Sequence, residues 1–252
     1  MNKINFLIRT YKEIKNWHSV PLAYLKLLNR KYFILNFRNG LKCKLRTKST
    51  DIYTFANVWL TKEYERIGFK IDKDIPLIDV GAHIGLFAIY ASQFCKHKIY
   101  CYEPVKENFN LLKENINNNN LTNIKLNNKA VTNKENKIKI FLDGKDAAAH
   151  SIFGEREKFQ IIESTSIQKI IFENNLDKCN IKLDCEGAEF DIIESIPKEY
   201  FNKIKKICLE YHIINGNYES LKNIKNILEE FYTLSEFKTS QELGILFAEE
   251  KK

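Results

Sequence analysis

The stretch from Asp79 to Gly85, DVGAHIG, constrains this chain more than any other. It closes a short apolar run (Ile75, Leu77, Ile78, Val80) and opens an apolar segment from Leu86 to Phe94. Strand, glycine-bearing turn and helix in succession predict a parallel sheet carrying a nucleotide-like ligand over its carboxyl end. The spacing D-x-G-x-x-x-G differs from the dinucleotide fingerprint G-x-G-x-x-G. An acid on the strand, before the first glycine, suits a ligand with an amino-acid end and a sulfonium charge better than a pyrophosphate. A second strand, KIYCYE, ends in Glu103, eighteen residues beyond Gly85. A carboxylate there accepts hydrogen bonds from both ribose hydroxyls. Turn and acid together predict a site for S-adenosylmethionine.

At 252 residues and 44% hydrophobic content, the chain is long enough for one large α/β domain or a domain with an appendage. No run approaches the roughly 18 apolar residues that span a bilayer, so no transmembrane segment is expected. The first residues, MNKINFLIRTYKEIKNWHS, lack the apolar core and small-residue cleavage site of a signal peptide. Six cysteines (43, 95, 101, 179, 185, 208) never form C-x-x-C, and several lie in apolar strands. Buried, reduced thiols in a cytoplasmic protein are the expectation, not disulfides or zinc.

The charge is unevenly placed. Residues 1–75 hold 16 Lys and Arg against 6 Asp and Glu, whereas the remainder holds 24 against 26. Such a segment is either a solvated basic face or meets an anionic partner, be it a phosphorylated small molecule, RNA or a membrane surface.

A pass along the chain separates two regions, 1–74 and 75–252. The first predicts two short amphipathic helices between Ile4 and Leu28, broken near Pro21. A hairpin follows, YFILNF and LKCKLR about Asn39-Gly40. Next comes a helix over Ile52 to Leu60, capped by Thr50-Asp51. The second region alternates strand and helix. Its strands are PLIDVG, KIYCYEP, NIKLNNKAV, NIKLDCEG and KKICLEYH, closed by the pair FYTLSEF and ILFAEE. A hairpin-like insertion, KIKIFLDG, leads into a loop at Lys145 to Gly154. The expected fold is a class I methyltransferase: a Rossmann-like, mixed seven-stranded sheet flanked by helices, with a basic N-terminal helical and hairpin segment.

Four pieces carry a resemblance: DVGAHIG, Tyr102-Glu103-Pro104 with Glu107-Asn108, KLDCEGAE from Lys182 to Glu189, and Glu210-Tyr211-His212. Together they resemble the FkbM-type S-adenosylmethionine-dependent methyltransferases, from about Thr50 to His212. His83 stands where many members carry asparagine. The upstream stretch Asp51 to Tyr64 resembles a family segment ending in an aromatic near the cofactor, which implies a contact from Tyr64. The cofactor-binding set so implied is Tyr64, Asp79, Gly81, Ala82, Gly85, Leu86, Glu103, Pro104, Ala130, Val131 and Asp184. Gly81 and Gly85 would admit the methionine end, and Asp79 would act through the turn's amides or the ligand's ammonium group. Glu103 would hold the ribose, and Ala130 with Val131, ending the third strand, would meet the adenine.

Asp184, Glu210 and His212 end neighbouring strands, where they face the reacting methyl. Methyl transfer from a sulfonium is an in-line displacement, so positioning is the main requirement, and a hydroxyl acceptor must also lose a proton. His212 or Asp184 is the expected base, with Glu210 as the third catalytic candidate. The same trio offers ligands to a divalent cation such as magnesium, which would lower the acceptor's pKa. Glu186 and Glu189 are expected to cap the following helix instead.

The chain has no N-P-P-Y or D-P-P-Y, no Pro-Cys pair and no P-loop, and Ser151 lacks a G-x-S-x-G setting. The leading expectation is O-methylation of a small acceptor, anionic or carbohydrate, most simply a sugar. RNA methylation is the rival that the charge also suits. A cofactor-binding scaffold without catalysis is the third reading.

Overall fold

The computed structural model describes residues 3–66, 68–141, 159–214 and 216–251. Its amino-terminal part holds α1 (Lys3–Glu13), α2 (Ser19–Tyr24) and the antiparallel hairpin β1 (Tyr32–Asn36) and β2 (Lys42–Arg46). The break between the helices lies at residues 14–18, not at Pro21. Pro21 sits in the first turn of α2, where its missing N–H costs nothing. What ends α1 is Asn16, whose side chain bonds the carbonyl of Ile34 and the amide of Asn36 and draws the chain onto β1.

The helix expected over Ile52 to Leu60 is α3 (Asp51–Phe55), continued by a π-helix over Ala56–Thr61 that stops at Lys62 in a left-handed conformation. Thr50 and Asp51 do not cap it through their side chains. The Asp51 carboxylate is fully buried and accepts instead from the Arg46 amide and guanidinium. A short α4 (Glu63–Arg66) follows.

The main sheet contains β3 (Leu77–Val80), β4 (Ile99–Tyr102) and β5 (Ile124–Asn127). The next two strands, β6 (Ala130–Val131) and β7 (Lys137–Phe141), join β8 (Phe159–Thr165) in a separate three-stranded sheet of order β6-β8-β7. The expected third strand NIKLNNKAV is therefore two strands, and Ala130 and Val131 belong to the smaller sheet. The loop Lys145 to Gly154, with Ser151, lies outside the described residues. The main sheet resumes with β9 (Cys179–Leu183), β10 (Ile204–His212), β11 (Tyr232–Lys238) and β12 (Leu243–Glu250). Its order is β11-β12-β10-β9-β3-β4-β5, parallel except for β12, which is antiparallel to both neighbours.

Helices α5 (Leu86–Ala91) and α6 (Lys106–Asn117) pack with the amino-terminal part on one face. Helices α7 (Ile167–Glu173), α8 (Glu189–Ser195), α9 (Lys198–Phe201) and α10 (Tyr218–Glu229) complete the secondary structure, and α7, α8 and α10 contribute to the core on the other face. The first core is continuous from the hairpin to the sheet. Phe37 meets Trp59 at a ring separation of 4.0 Å, and the Trp59 indole donates to the carbonyl of Leu86. Among the described residues no helix is long and apolar enough to cross a membrane.

One side chain ties hairpin to sheet. Asn115 of α6 is fully buried, accepts from the Lys44 amide at 2.7 Å, and donates to the carbonyls of Lys44 and Ile84 at 3.1 and 2.9 Å. Replacing it with leucine leaves these backbone groups unpaired, at about 1–3 kcal/mol each where water cannot reach. Asn115→Leu is expected to lose roughly 2–4 kcal/mol of stability in urea unfolding. A loss within experimental error would mean that apolar packing and the neighbouring contacts of Asn119 and Glu114 hold the hairpin without Asn115.

Candidate active site

The strand order reverses between β3 and β9, and a cleft opens over the carboxyl ends there, as expected at a topological switch point. Its walls come from the turn Val80 to His83, from Tyr102 to Val105, from Lys182, Asp184 and Cys185, and from Glu210. The smaller sheet adds Ala130, Val131, Thr132 and Ile140. The segment before the sheet adds Thr54, Asn57, Val58, Glu63 and Tyr64.

The turn's conformation explains its glycines. Gly81 has φ +74°, and a Cβ there would lie 1.7 Å from the backbone oxygen of Asp184. Gly85 has φ +89°, and its Cβ would meet Leu112 at 2.6 Å. Gly81 thus lines the cleft while letting the turn pass β9, whereas Gly85 seats α5 against α6 and does not reach the cleft wall. Leu86 and Ala82 do line it.

Glu103 is buried at the cleft wall, where the amides of His83 (2.8 Å) and Val105 (2.9 Å) donate to its carboxylate. Burial outweighs these bonds and pushes its pKa up to about 7. Pro104 stands beside it.

His83, at φ +51°, anchors the turn to the amino-terminal segment. Its Nε2 lies 2.9 Å from Arg46 Nη2, and Arg46 also donates to Asn108 Oδ1 and pairs with Asp51. Burial brings the His83 pKa down to about 4, with Arg46 acting in the same direction against Asp51, so the imidazole is neutral and Nε2 accepts. Arg46, Asp51 and His83 therefore fix the turn whose amide holds Glu103. The spacing of DVGAHIG could not show this, because two partners come from a hairpin and helix more than thirty residues upstream.

The opposite wall is an ion network. Lys182 is buried, with Nζ 3.4 Å from both Asp79 Oδ1 and Asp184 Oδ2 and donating to the carbonyl of Gly81 at 3.2 Å. Asp79 is fully buried behind the cleft, and its partner is this ammonium, not the turn's amides, which turn to the carbonyl of Tyr102. Burial raises the Asp79 pKa and Lys182 opposes the rise. The Tyr64 hydroxyl lies 3.5 Å from Asp184 Oδ2 and from Glu210 Oε2. Burial, then Asp184, push Glu210 up to about 9.

His212 stands outside the residues that wall the cleft. Its Nδ1 is 3.3 Å from Glu189, an ion-pair distance without hydrogen-bond alignment, and Nε2 is 3.6 Å from Glu186. Burial disfavours its charge, but Glu189, Asp184 and Glu186 prevail and raise its pKa to about 10. An imidazolium has no lone pair for a proton. Glu189, expected to serve the helix, does accept from the amides of Cys185 and Gly187 ahead of α8.

The sequence profile described as Methyltransferase FkbM domain matches residues 79–239. The chain belongs to the FkbM methyltransferase family. A curated relative, Methyltransferase 1 of Beauveria bassiana (strain ARSEF 2860), is 20% identical over 195 residues, covering 68% of this chain and 78% of its own. The crystal structure of an FkbM methyltransferase from Methylobacillus flagellatus KT superposes with a TM-score of 0.52 at 18% identity. That match covers 78% of this chain and 53% of the other, so the chain spans about half the length of that relative. An rRNA methylase from Streptococcus thermophilus shares the fold at TM-score 0.50 and 6% identity, over 76% of this chain and 95% of its own. This is the class I methyltransferase fold, and the FkbM chain is an S-adenosylmethionine-dependent methyltransferase.

The residues fit that cofactor. Ala130, Val131, Pro104 and Ile140 offer an apolar wall to an adenine, Glu103 offers acceptors to a ribose, and Asp184, Glu210 and Glu63 surround a cationic end. Glu103 accepts two hydroxyl donors only as a carboxylate. With its free-protein pKa near 7, cofactor affinity should fall as pH drops through about 7. Charge-assisted bonds are worth about 1.5–3 kcal/mol each, so the fall should reach roughly tenfold or more. Calorimetry on Glu103→Gln should show weak binding without that pH dependence. Wild-type affinity in the variant would remove Glu103 from the site.

Proposed function

We propose that this FkbM methyltransferase transfers the methyl group to a hydroxyl of a small carbohydrate acceptor, with Asp184 as proton acceptor. The observation that carries the reading is the acid-lined wall: Glu63, Asp184, Glu186 and Glu210 all border the cleft. When bound, the cofactor supplies an electrophilic methyl on a sulfonium. Of the candidate bases, Glu210 retains its proton and His212 is already charged, which leaves Asp184 to accept the acceptor's proton. Tyr64 and Lys182 hold Asp184 in place, and protonated Glu210 can donate to an acceptor oxygen. A neutral, hydroxyl-rich sugar finds partners along such a wall, whereas the phosphates of RNA would meet the acids Glu63, Asp184 and Glu186.

Not one lysine or arginine of residues 1–74 borders the cleft among the described residues. The expectation that the basic segment meets an acceptor's phosphates at the site is therefore replaced: its contribution there is neutral and acidic, from Thr54, Asn57, Val58, Glu63 and Tyr64. Of the two sugar acceptors expected, a surface glycan is favoured over a nucleotide-linked sugar, whose diphosphate would meet the same acids, and the free thiols support a cytoplasmic enzyme.

Asp184, Glu210 and His212 do converge, with ligand atoms within 4.8 Å of one another, the spacing expected for magnesium. The donor chemistry does not fit a cation. The Lys182 ammonium already sits 3.4 Å from Asp184 Oδ2 and supplies the positive charge a cation would bring. We assign the trio to the internal ion network.

Asp184→Asn should lose about 10²–10⁴ in turnover at saturating cofactor, where any weaker hold on the cofactor's cationic end no longer counts. Retained turnover would end its assignment as base. Chelator should leave the rate unchanged, and loss of activity restored by magnesium would overturn the ion-network assignment. Methyl incorporation into RNA and into none of a panel of sugars and nucleotide sugars would replace the carbohydrate reading with the RNA one.

A further inference from the structure

Helix α1 turns its apolar stripe the wrong way for a core. Ile4, Leu7, Ile8 and Tyr11 recur at the spacing of one helical face, and all are exposed, Ile4 at 69%. The face that packs inward carries the buried Thr10 and partly buried Phe6 instead. The exposed stripe does not stand alone. Tyr11 contacts Trp17, and Phe6 contacts Tyr24 of α2, each with ring centroids 6.1 Å apart. Beyond them Leu25 and Leu27 are 63% and 64% exposed. Exposed apolar side chains gathered on two helices that touch through Phe6 and Tyr24 mark an interaction site.

Its surroundings name the partner. Residues 1–31 hold seven lysines and arginines against one acid, Glu13. Apolar side chains on one helical face, flanking lysines, and tyrosine and tryptophan between them form the pattern of a helix lying in a membrane interface. A second copy of this chain would cover the apolar stripe only by bringing two strongly basic segments together. An anionic bilayer covers the stripe and neutralises the charge at once. RNA would use the charge and leave the leucines in water.

We propose that α1 and α2 dock the protein on an anionic membrane surface, the apolar stripe entering the headgroup boundary and the lysines meeting lipid phosphates. This surface is independent of the acceptor. It gives the basic segment the anionic partner that the cleft does not supply.

Flotation of the full chain with vesicles tests it. The protein should rise with vesicles of phosphatidylcholine mixed with phosphatidylglycerol, stay behind with phosphatidylcholine alone, and be released by high salt. The double variant Leu7→Ser/Ile8→Ser keeps every charge, and its partition should fall about tenfold or more, given two leucine-sized side chains withdrawn from burial. Lys12→Glu/Lys15→Glu keeps the stripe and should lose the anionic preference. Unchanged cofactor binding certifies the fold of each variant. Binding that survives loss of the stripe, or no binding to anionic vesicles, overturns the proposal. A dimer by light scattering that Leu7→Ser/Ile8→Ser converts to monomer would assign the face to a second copy instead.

Discussion

The site depends on one buried cation. The side chain of Lys182 projects from β9 beneath the DVGAHIG turn, and its ammonium touches Asp79 on β3, Asp184 at the end of β9 and the carbonyl of Gly81. Burying an ammonium costs several kcal/mol, which only close anionic partners offset. The three partners lie on the two central strands, so the same contacts that tolerate the charge also fix their carboxyl ends. Asp79 depends on the arrangement in return, since its oxygens have no hydrogen-bond partner and only this ion pair compensates their burial. Removing Lys182 would strand a fully buried carboxyl and free the residue we propose as base. Position and charge of the chemical wall thus rest on one side chain.

Around that cation the charges are sorted. Acids gather at the cleft, where a sulfonium and a hydroxyl acceptor are both compatible with them. Neutral His83 and raised Glu103 mark the ribose side, where burial competes with ionisation. The basic residues of the amino-terminal part are spent elsewhere: Arg46 inside, on Asp51, Asn108 and His83, and Lys44 in an ion pair with Glu114 of α6. Net charge alone therefore does not describe the cleft, because charge is read locally, within about a Debye length.

What was legible in the sequence was local. DVGAHIG announced strand, turn and helix because apolar periodicity and glycine placement act within a dozen residues, and the same logic found the hairpin at Asn39-Gly40 and the closing pair β11 and β12. Features set by partners far along the chain were not legible. Asp51 looked like a helix cap, and only the fold shows Arg46 claiming it. Lys182 stood in a quoted motif without a role, since its partners Asp79 and Gly81 lie about a hundred residues earlier. Ala130 and Val131 line the cleft but belong to the smaller sheet, and the asparagine and lysine between them and β5 give no sign of the break. His212 carries the chemistry of a base in one dimension, and only the fold shows Glu186 and Glu189 beside it, which raise its pKa.

These long-range partners also divide the cleft by origin. The cofactor half comes from the turn after β3, from Glu103 and from the ends of β9 and β10, all within the stretch that the family profile matches. The facing half comes from α3, the π-helix and Tyr64, all upstream of it. A π-helix is a costly conformation that persists where surrounding contacts hold it, and here Trp59 and Leu60 are buried on one side while Asn57 and Val58 face the cleft on the other. The widened turn rotates Asn57 and Val58 relative to an ideal α-helix, so it shapes the wall an acceptor would meet. The two halves of the cleft are thus built by different parts of the chain, joined through Arg46, Asp51 and His83 and, across the cleft, through Tyr64 to Asp184 and Glu210.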